Sequence, residues 1–407
     1  MACGLLGAKL AHSYSPQIHR LLGNENYYIF EKAPEELEAF LAGGDFTGVN
    51  VTIPYKQTVI PYCAELTPVA QMLGAVNTIV RRDGRLIGHN TDYFGFATML
   101  RRSGLSVAGK KVLVLGTGGA SKTVVAVLQE QDAHVVAVSR SGDDNYNNLH
   151  RHKDAAIIVN TTPVGMYPDT EASPLSLDLF PQLEGVLDVI YNPAYTKLLQ
   201  EAKARNLVTM NGLLMLVAQA KESAEWFLGH SIPDEKIDKI HQLLRTQMEN
   251  IVLIGMPGCG KSTIGALLAE MTGKQFVDAD AQLEELAGCS IPEIFATQGE
   301  AAFRALETRV LRELGKQSGL VIATGGGCVT REENYALLRQ NGQIFYLERS
   351  LDSLPTDGRP LSQATDLEHM YRIRKPLYQR FADYLIDNSG TPQEAADRIL
   401  RIWEETP

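Results

Sequence analysis

The chain lacks the features that would tie it to a membrane, to nucleic acid or to an oxidising compartment. No apolar run approaches the ~18–20 residues of a membrane span. The opening stretch, MACGLLGAKLAHSYSP, has no basic region followed by a sustained apolar one, so no signal peptide is expected. Basic charge is scarce: 38 Lys and Arg against 48 Asp and Glu give a formal charge of −10, which argues against a general nucleic-acid or membrane-surface binder. Cysteine is sparse and odd in number. Cys3, Cys63, Cys259, Cys289 and Cys328 are scattered without metal-ligand or redox spacing, so free thiols in a reducing compartment are expected. Internal repeats and low-complexity segments are also missing. Together these absences point to a cytoplasmic protein whose partners are small molecules, with no nucleic acid and no membrane. Any anionic ligand must then be held by a few well-placed cations and backbone N–H groups.

What is present is the composition of a globular protein, 407 residues long with 44% hydrophobic and 21% charged residues. That length exceeds one ordinary core and predicts two or three domains. Short apolar strand-like runs alternate with helix-period segments, which predicts α/β domains with mainly parallel sheets. Three runs end in glycine turns or polar residues: GVNVTIPYK (48–56), KKVLVLGTGGAS (110–121) and ENIVLIGMPGCGKS (249–262). Open α/β sheets place ligands at such strand ends. The expected units are 1–100, 101–212 and 249–407; the helical stretch 213–245, with a break near Gly229–Pro233, completes the first. The junction before Asn250 is charged and helix-period, so a short stiff connection is expected instead of a Gly/Ser tether.

The central unit has the strand, glycine turn, helix and second strand of a Rossmann βαβ unit. Gly116 permits the tight turn and Gly118 lets the backbone approach a pyrophosphate at the helix N-terminus. Gly119 and Ala120 add small neighbours, and Ser121 stands where the usual fingerprint has Gly or Ala. After the second strand come Ser139, Arg140 and Ser141, where an NAD site would place an acidic residue. An arginine there suits a 2′-phosphate and favours NADP(H), although Asp143 and Asp144 follow at once.

The third unit opens with a full G-x-x-x-x-G-K-S P-loop from Gly255 to Ser262. Gly258, Cys259, Gly260 and Thr263 belong to the cradle and helix start around the ATP phosphates, Lys261 reaches the β- and γ-phosphates, and the Ser262 hydroxyl ligates Mg²⁺. The P-loop by itself does not separate a kinase from a GTPase or a motor. Two carboxylates follow at a strand end in FVDAD, Asp278 and Asp280.

The first 245 residues resemble the shikimate dehydrogenase family through SYSP (13–16), GVNVTIPYK, GAVNTI (74–79), GHNTDYFGF (88–96), GTGGAS, NTTPVGM (160–166), DVIYNP (188–193) and NGLLMLVAQA (211–220), in that order. A Lys–Asp pair, Lys56 with Asp92, can give a proton to a ketone oxygen as hydride arrives from a nicotinamide; without the flanking motifs it would read as a surface ion pair. The resemblance implies that Ser13 and Ser15 bind the substrate carboxylate with Tyr191 nearby. Thr52, Asn77, Asp92 and Gln219 would bond the ring hydroxyls. Asn160, Thr161 and Gly212 would border the cofactor, with Met215 beside the nicotinamide or, equally, packed in the core.

Residues 249–407 resemble shikimate kinase, an NMP-kinase-like P-loop fold, through the P-loop, FVDAD, GEAAFRALE (299–307), IATGGGCV (322–329), DGRPLS (357–362) and RIRKPLY (372–378). By that resemblance Asp280 deprotonates the acceptor hydroxyl and Asp278 holds Mg²⁺ through water. Arg304 and Arg374 clamp the substrate carboxylate, Gly325, Gly326 and Gly327 lie close to the ring, and Arg359 closes over the transferring phosphoryl group. Arg304 could instead simply pair with Glu307 on one helix turn. The family usually carries a further arginine several residues before the lid arginine, against the adenine. Here that interval holds Asp352, Ser353, Leu354 and Pro355, so the lid looks shortened; the loop around NSGTPQE (388–394), with Pro392, is the candidate adenine wall.

The two resemblances imply consecutive reactions towards aromatic amino acids: NADPH reduction of 3-dehydroshikimate, then ATP/Mg²⁺ phosphorylation of shikimate. Two alternatives stay open from sequence, an NAD-dependent first half acting on quinate, and one half serving as a non-catalytic shikimate-binding module. The resemblance leaves a homodimer open.

Overall fold

The computed structural model describes residues 2–10, 13–353 and 367–405, and all elements and counts below refer to these. The chain divides into two compact units, one of Met1–Val164, Ser173–Tyr191 and Glu201–Gln242, the other of Gly165–Ala172, Asn192–Gln200 and Leu243–Pro407. No helix among the described residues is long and apolar enough to cross a membrane.

The first unit holds two sheets. β1 (Ala2–Gly7), β2 (Tyr27–Glu31), β3 (Phe46–Val51), β4 (Glu65–Leu66), β5 (Thr78–Arg82) and β6 (Arg85–His89) form a six-stranded sheet in the order β2-β1-β3-β5-β6-β4. Its pairings are mainly parallel, as expected, but β5 pairs antiparallel with both β3 and β6. The β5–β6 pairing has a local cause: Asp83 and Gly84 both have positive φ, 51° and 75°, the two-residue turn that joins antiparallel strands without splaying them. An Asp-Gly pair between apolar runs is a hairpin signal in the sequence itself.

β7 (Lys111–Leu115), β8 (His134–Val138), β9 (Ile157–Asn160), β10 (Gly185–Asp188) and β11 (Val208–Met210) form the second sheet, fully parallel, in the order β11-β10-β9-β7-β8. Its central strands are buried along their length, as a sheet covered by helices on both faces requires. Helices Asp92–Ser103 and Leu213–Leu228 pack closely. A Cβ on Gly95 would lie 2.8 Å from the Met215 carbonyl oxygen and 2.9 Å from Gln219 Cβ, so only glycine allows that approach.

The second unit carries β12 (Asn250–Ile254), β13 (Gln275–Asp278), β14 (Leu320–Ala323), β15 (Gly342–Glu348) and β16 (Tyr384–Asp387), all parallel, in the order β13-β14-β12-β15-β16. The helix Glu235–Met248 runs almost directly into β12. Helix Ile291–Lys316 is kinked at Gly299, whose φ of 81° is left-handed. Within this unit the Asn192–Gln200 segment is tied down: the Tyr195 N–H donates to the Gln340 carbonyl (2.8 Å), and the Arg339 guanidinium lies 4.1 Å from the Tyr195 ring centre.

Candidate functional site

In the first unit, the chain leaving β3 brings Lys56 to the N-terminus of helix Asp92–Ser103, where Lys56 Nζ lies 2.6 Å from Asp92 Oδ2. A carboxylate there is favoured by the helix dipole. Beneath the pair runs a neutral network. Asn77 Oδ1 accepts the Thr91 N–H (2.7 Å), Asn77 Nδ2 donates to Thr91 Oγ1 (3.0 Å), and Thr91 Oγ1 donates to Gln219 Oε1 (3.3 Å). Thr91 links residues far apart in the chain and was missed in the sequence, although it sits next to Asp92. Thr52 follows β3 directly, and its N–H donates to the Leu6 carbonyl (3.0 Å). Ser13 Oγ accepts the Ser15 N–H (3.2 Å), and the Tyr14 ring between them meets Tyr191 edge-on at 6.3 Å. Tyr191 therefore stands beside the two serines.

The glycine turn after β7 leaves room for a cofactor. Gly116 has φ 105°, a left-handed value, and a Cβ there would press on Thr161 Oγ1 at 3.0 Å. At Gly118 and Gly119 a Cβ would meet nothing within 4 Å. Helix Gly119–Glu130 has no side-chain cap, so its first N–H groups face that open space, a fit for a pyrophosphate. Ala120 lies in the first turn of that helix. Ser121 is buried and donates to the Gly116 carbonyl (2.7 Å), which accounts for a hydroxyl at the third fingerprint position. Ser139 Oγ accepts the Gly142 N–H (2.8 Å), folding the Ser139–Ser141 turn, and Arg140 is exposed with no ion pair among the described residues. Asp144 is engaged elsewhere, its Oδ1 lying 2.8 Å from His152 Nε2.

Three expected cofactor residues also have internal duties. Asn160 is buried, donating to Asp188 Oδ1 (3.0 Å) and accepting from the Thr162 N–H (3.0 Å). Gly212 is needed for packing, since a Cβ would sit 2.0 Å from the Val189 carbonyl oxygen. Met215 is partly buried against the core that includes Phe96 and Val114.

In the second unit, one cavity of about 870 Å³ is lined by the P-loop together with Asp278, Asp280, Arg304, Arg374 and the Gly325–Gly327 turn. Gly258 and Gly260 have φ of 85° and 97°, and the uncapped helix Lys261–Thr272, which holds Ser262 and Thr263, starts in the cavity. Lys261 Nζ donates to the Gly255 (2.9 Å) and Met256 (3.0 Å) carbonyls. Ser262 Oγ donates to Asp278 Oδ2 (2.7 Å), while Asp278 Oδ1 caps the next helix through the Asp280 N–H (3.0 Å). This pair of hard oxygens fits Mg²⁺, which takes one or two protein oxygens beside phosphates and water. Burial, then the neighbouring Asp278 charge, push the Asp280 carboxyl above the ordinary range, with Lys261 and Arg304 pulling against them.

Arg304 and Glu307 do pair, at 2.8 Å between Nη1 and Oε2, yet both also line the cavity. Burial works against the Arg304 cation, but Glu307 and Glu300 outweigh it and hold the pKa above its ordinary value. Glycine is required around them. A Cβ on Gly325 would fall 2.6 Å from Asp280 Oδ1, and one on Gly327 would fall 2.1 Å from Arg304 Nη1. The Gly326 carbonyl accepts from Arg374 Nη1 (3.2 Å) and from the Tyr378 hydroxyl. Asn388 opens the loop expected to wall the adenine, though the sequence did not single it out: its side-chain amide donates to the Cys259 carbonyl, pinning the loop before Pro392 to the P-loop. Arg359 and the lid sequence from Leu354 onward lie outside the described residues.

Comparison with known proteins finds matches in both units. The shikimate dehydrogenase substrate binding domain model matches residues 5–79, and the shikimate kinase model matches residues 257–404. The NADP(+) shikimate dehydrogenase of Symbiobacterium thermophilum is 38% identical over 263 residues, covering 56% of this chain and 90% of that protein. That of Clostridium perfringens strain 13 is 34% identical over 264 residues, covering 60% and 97%. Among solved structures, a chorismate mutase/shikimate 5-dehydrogenase fusion protein from Clostridium acetobutylicum aligns with TM-score 0.57 and 33% identity, over 60% of this chain and 96% of that one. Shikimate 5-dehydrogenase from Thermus thermophilus in complex with NADP(H) and shikimate aligns with TM-score 0.55 and 33% identity, over 60% and 99%. The chain belongs to the shikimate dehydrogenase family and carries a shikimate kinase domain behind it, a fusion of two shikimate-pathway enzymes.

Proposed function

We propose that the Lys56–Asp92 pair handles the proton of the dehydrogenase reaction and that Asp280 handles the proton of the kinase reaction. The first half reduces 3-dehydroshikimate to shikimate with NADPH; the second phosphorylates shikimate with ATP and Mg²⁺. NADPH, when bound, supplies the hydride. The Lys56 ammonium then donates to the substrate carbonyl oxygen while Asp92 keeps it oriented, 2.6 Å away. Ser13, Ser15 and Tyr191 take the carboxylate, and Thr52, Asn77 and Gln219 the ring hydroxyls. Ser139, Arg140 and Ser141 receive the 2′-phosphate, a reading supported by the engagement of Asp144 with His152. An NAD- and quinate-dependent first half loses part of its motivation for the same reason.

In the kinase half Asp280 takes the proton of the acceptor hydroxyl, and its raised pKa brings it nearer to the operating pH of a base. Lys261 turns from its carbonyls to the phosphates, Ser262 and Asp278 hold Mg²⁺, and Arg304 and Arg374 face the acceptor carboxylate. Pro392 borders the adenine, and Arg359 keeps the phosphoryl clamp that the family resemblance gives it. The observation that carries this reading is the single cavity shared by the P-loop, both aspartates and both arginines. The domain division 1–100 with 213–245, then 101–212, then 249–407, is supported by the three sheets. The low basic charge supports an enzyme without nucleic-acid or membrane partners, the scattered free cysteines support a reducing, cytoplasmic setting, and light scattering will tell monomer from homodimer.

Lys56→Ala and Asp280→Asn test the assignment. Each is expected to lower kcat of its own reaction by about 10²–10⁴ while leaving the other rate unchanged. Retention of dehydrogenase turnover in Lys56→Ala, or of kinase turnover in Asp280→Asn, refutes the corresponding role.

A further inference from the structure

We propose that Arg349 binds the phosphate chain of the nucleotide, as a cation of the donor side of the kinase cavity; this rests on that cavity being the ATP site. Arg349 is the first residue beyond β15 and lines the cavity. Its backbone is held against the P-loop. The Asn388 N–H donates to the Glu348 carbonyl (2.9 Å), and the Asn388 side chain donates to the Cys259 carbonyl. On the other side, a Cβ on Gly255 would lie 2.7 Å from the Leu347 carbonyl oxygen.

The face on which Arg349 projects follows from strand alternation. Tyr346 stacks on Tyr378 at 5.0 Å and Glu348 pairs with Lys375 at 2.7 Å, so these two meet helix Leu367–Phe381, which also carries Arg374. Phe345, Leu347 and, by continuation, Arg349 face the other way. Phe345 is in register with Leu253, and Leu253 packs under Gly265 of the P-loop helix. Arg349 therefore shares a face with the helix whose N-terminus holds the phosphates, opposite the side that carries Arg374.

Charge singles out the same residue. Lys261 is bonded to two carbonyls, Arg304 to Glu300 and Glu307, and Arg374 to the Gly326 carbonyl. Arg349 has a buried Nε without a hydrogen-bond partner and no ion pair among the described residues. A buried N–H in a ligand cavity calls for an acceptor. The planar fork of a guanidinium matches phosphate oxygens two at a time, which neither a lysine nor a backbone amide reproduces.

The test uses the full chain with Arg349→Ala and Arg349→Lys, measuring KM for ATP and shikimate, Kd for ADP and inhibition by adenosine. Loss of a charge-assisted contact predicts that Arg349→Ala raises both KM for ATP and Kd for ADP by about tenfold or more. KM for shikimate and adenosine inhibition should not change, and Arg349→Lys should fall between, which also shows that the site remains folded. Unchanged ADP affinity in Arg349→Ala overturns the proposal. So does a rise in the shikimate KM in place of the ATP KM, or a loss of adenosine affinity as large as that of ADP, which would mean a contact to the base. A wild-type chain that consumed no ATP would instead refute the underlying ATP reading.

Discussion

The two sites hold their working charges in different ways. Lys56 and Asp92 keep 29% and 16% of their side-chain surface exposed, and the groups beneath them, Asn77, Thr91 and Gln219, are neutral. Arg304 and Glu307 keep only 8% and 3%, with the half-buried Asp280 lining the same cavity. An ion pair in contact with water adds little to stability, so the first is there for its chemistry. A buried pair adds little over an apolar filling, but removing one partner strands the other charge out of water. The kinase charges are therefore bound into the fold in a way that the dehydrogenase charges are not.

The largest effect that would sharpen this contrast is on stability. Glu307→Ala leaves Arg304 with only the half-exposed Glu300, and about 3–5 kcal/mol of the second unit's stability should be lost. Asp92→Ala should cost the first unit no more than about 1 kcal/mol while lowering dehydrogenase turnover. Urea unfolding of both variants checks this, and equal losses would break the contrast. Next in size is cofactor choice. Arg140→Ala should weaken NADP+ by about tenfold or more with NAD+ unaffected, because Arg140 is exposed and has no ion pair among the described residues.

A separate effect, felt only on acidification, is a pH slope in the first unit. His19 is buried, stacked on Tyr27 at 4.0 Å, and burial pushes its imidazole down to about 3. The folded form stays neutral while the unfolded chain takes up a proton below the ordinary ~6.5. Stability should accordingly fall as pH drops from the ordinary value towards that of the folded state. His19→Asn should flatten that dependence in urea unfolding followed at several pH values; an unchanged slope would place the proton elsewhere.

Much of the fold was legible because its signals are local. The glycine turns at Gly116 and Gly258, the P-loop helix and the break at Gly229 depend on neighbours a few residues away. The β5–β6 hairpin was equally local, in Asp83–Gly84, and was overlooked. The site was legible as separate motifs but not as an assembly. Asn388 reaches Cys259 across 129 residues and Thr91 reaches Gln219 across 128, and no period or spacing encodes contacts at that distance. Glu307 was visible only as a helix partner of Arg304, since its burial in the cavity depends on how the Gly325–Gly327 turn packs. Arg349 carried no motif; its role depends on which face of β15 meets the P-loop helix.

The central claim, two independent proton-handling sites on one chain, is tested most directly by a coupled assay with 3-dehydroshikimate, NADPH and ATP, following both cofactors. Wild type should consume both. Lys56→Ala should stop NADPH consumption yet phosphorylate added shikimate, and Lys261→Ala should oxidise NADPH without consuming ATP. A variant in either half that abolished both reactions, with shikimate supplied, would contradict the account.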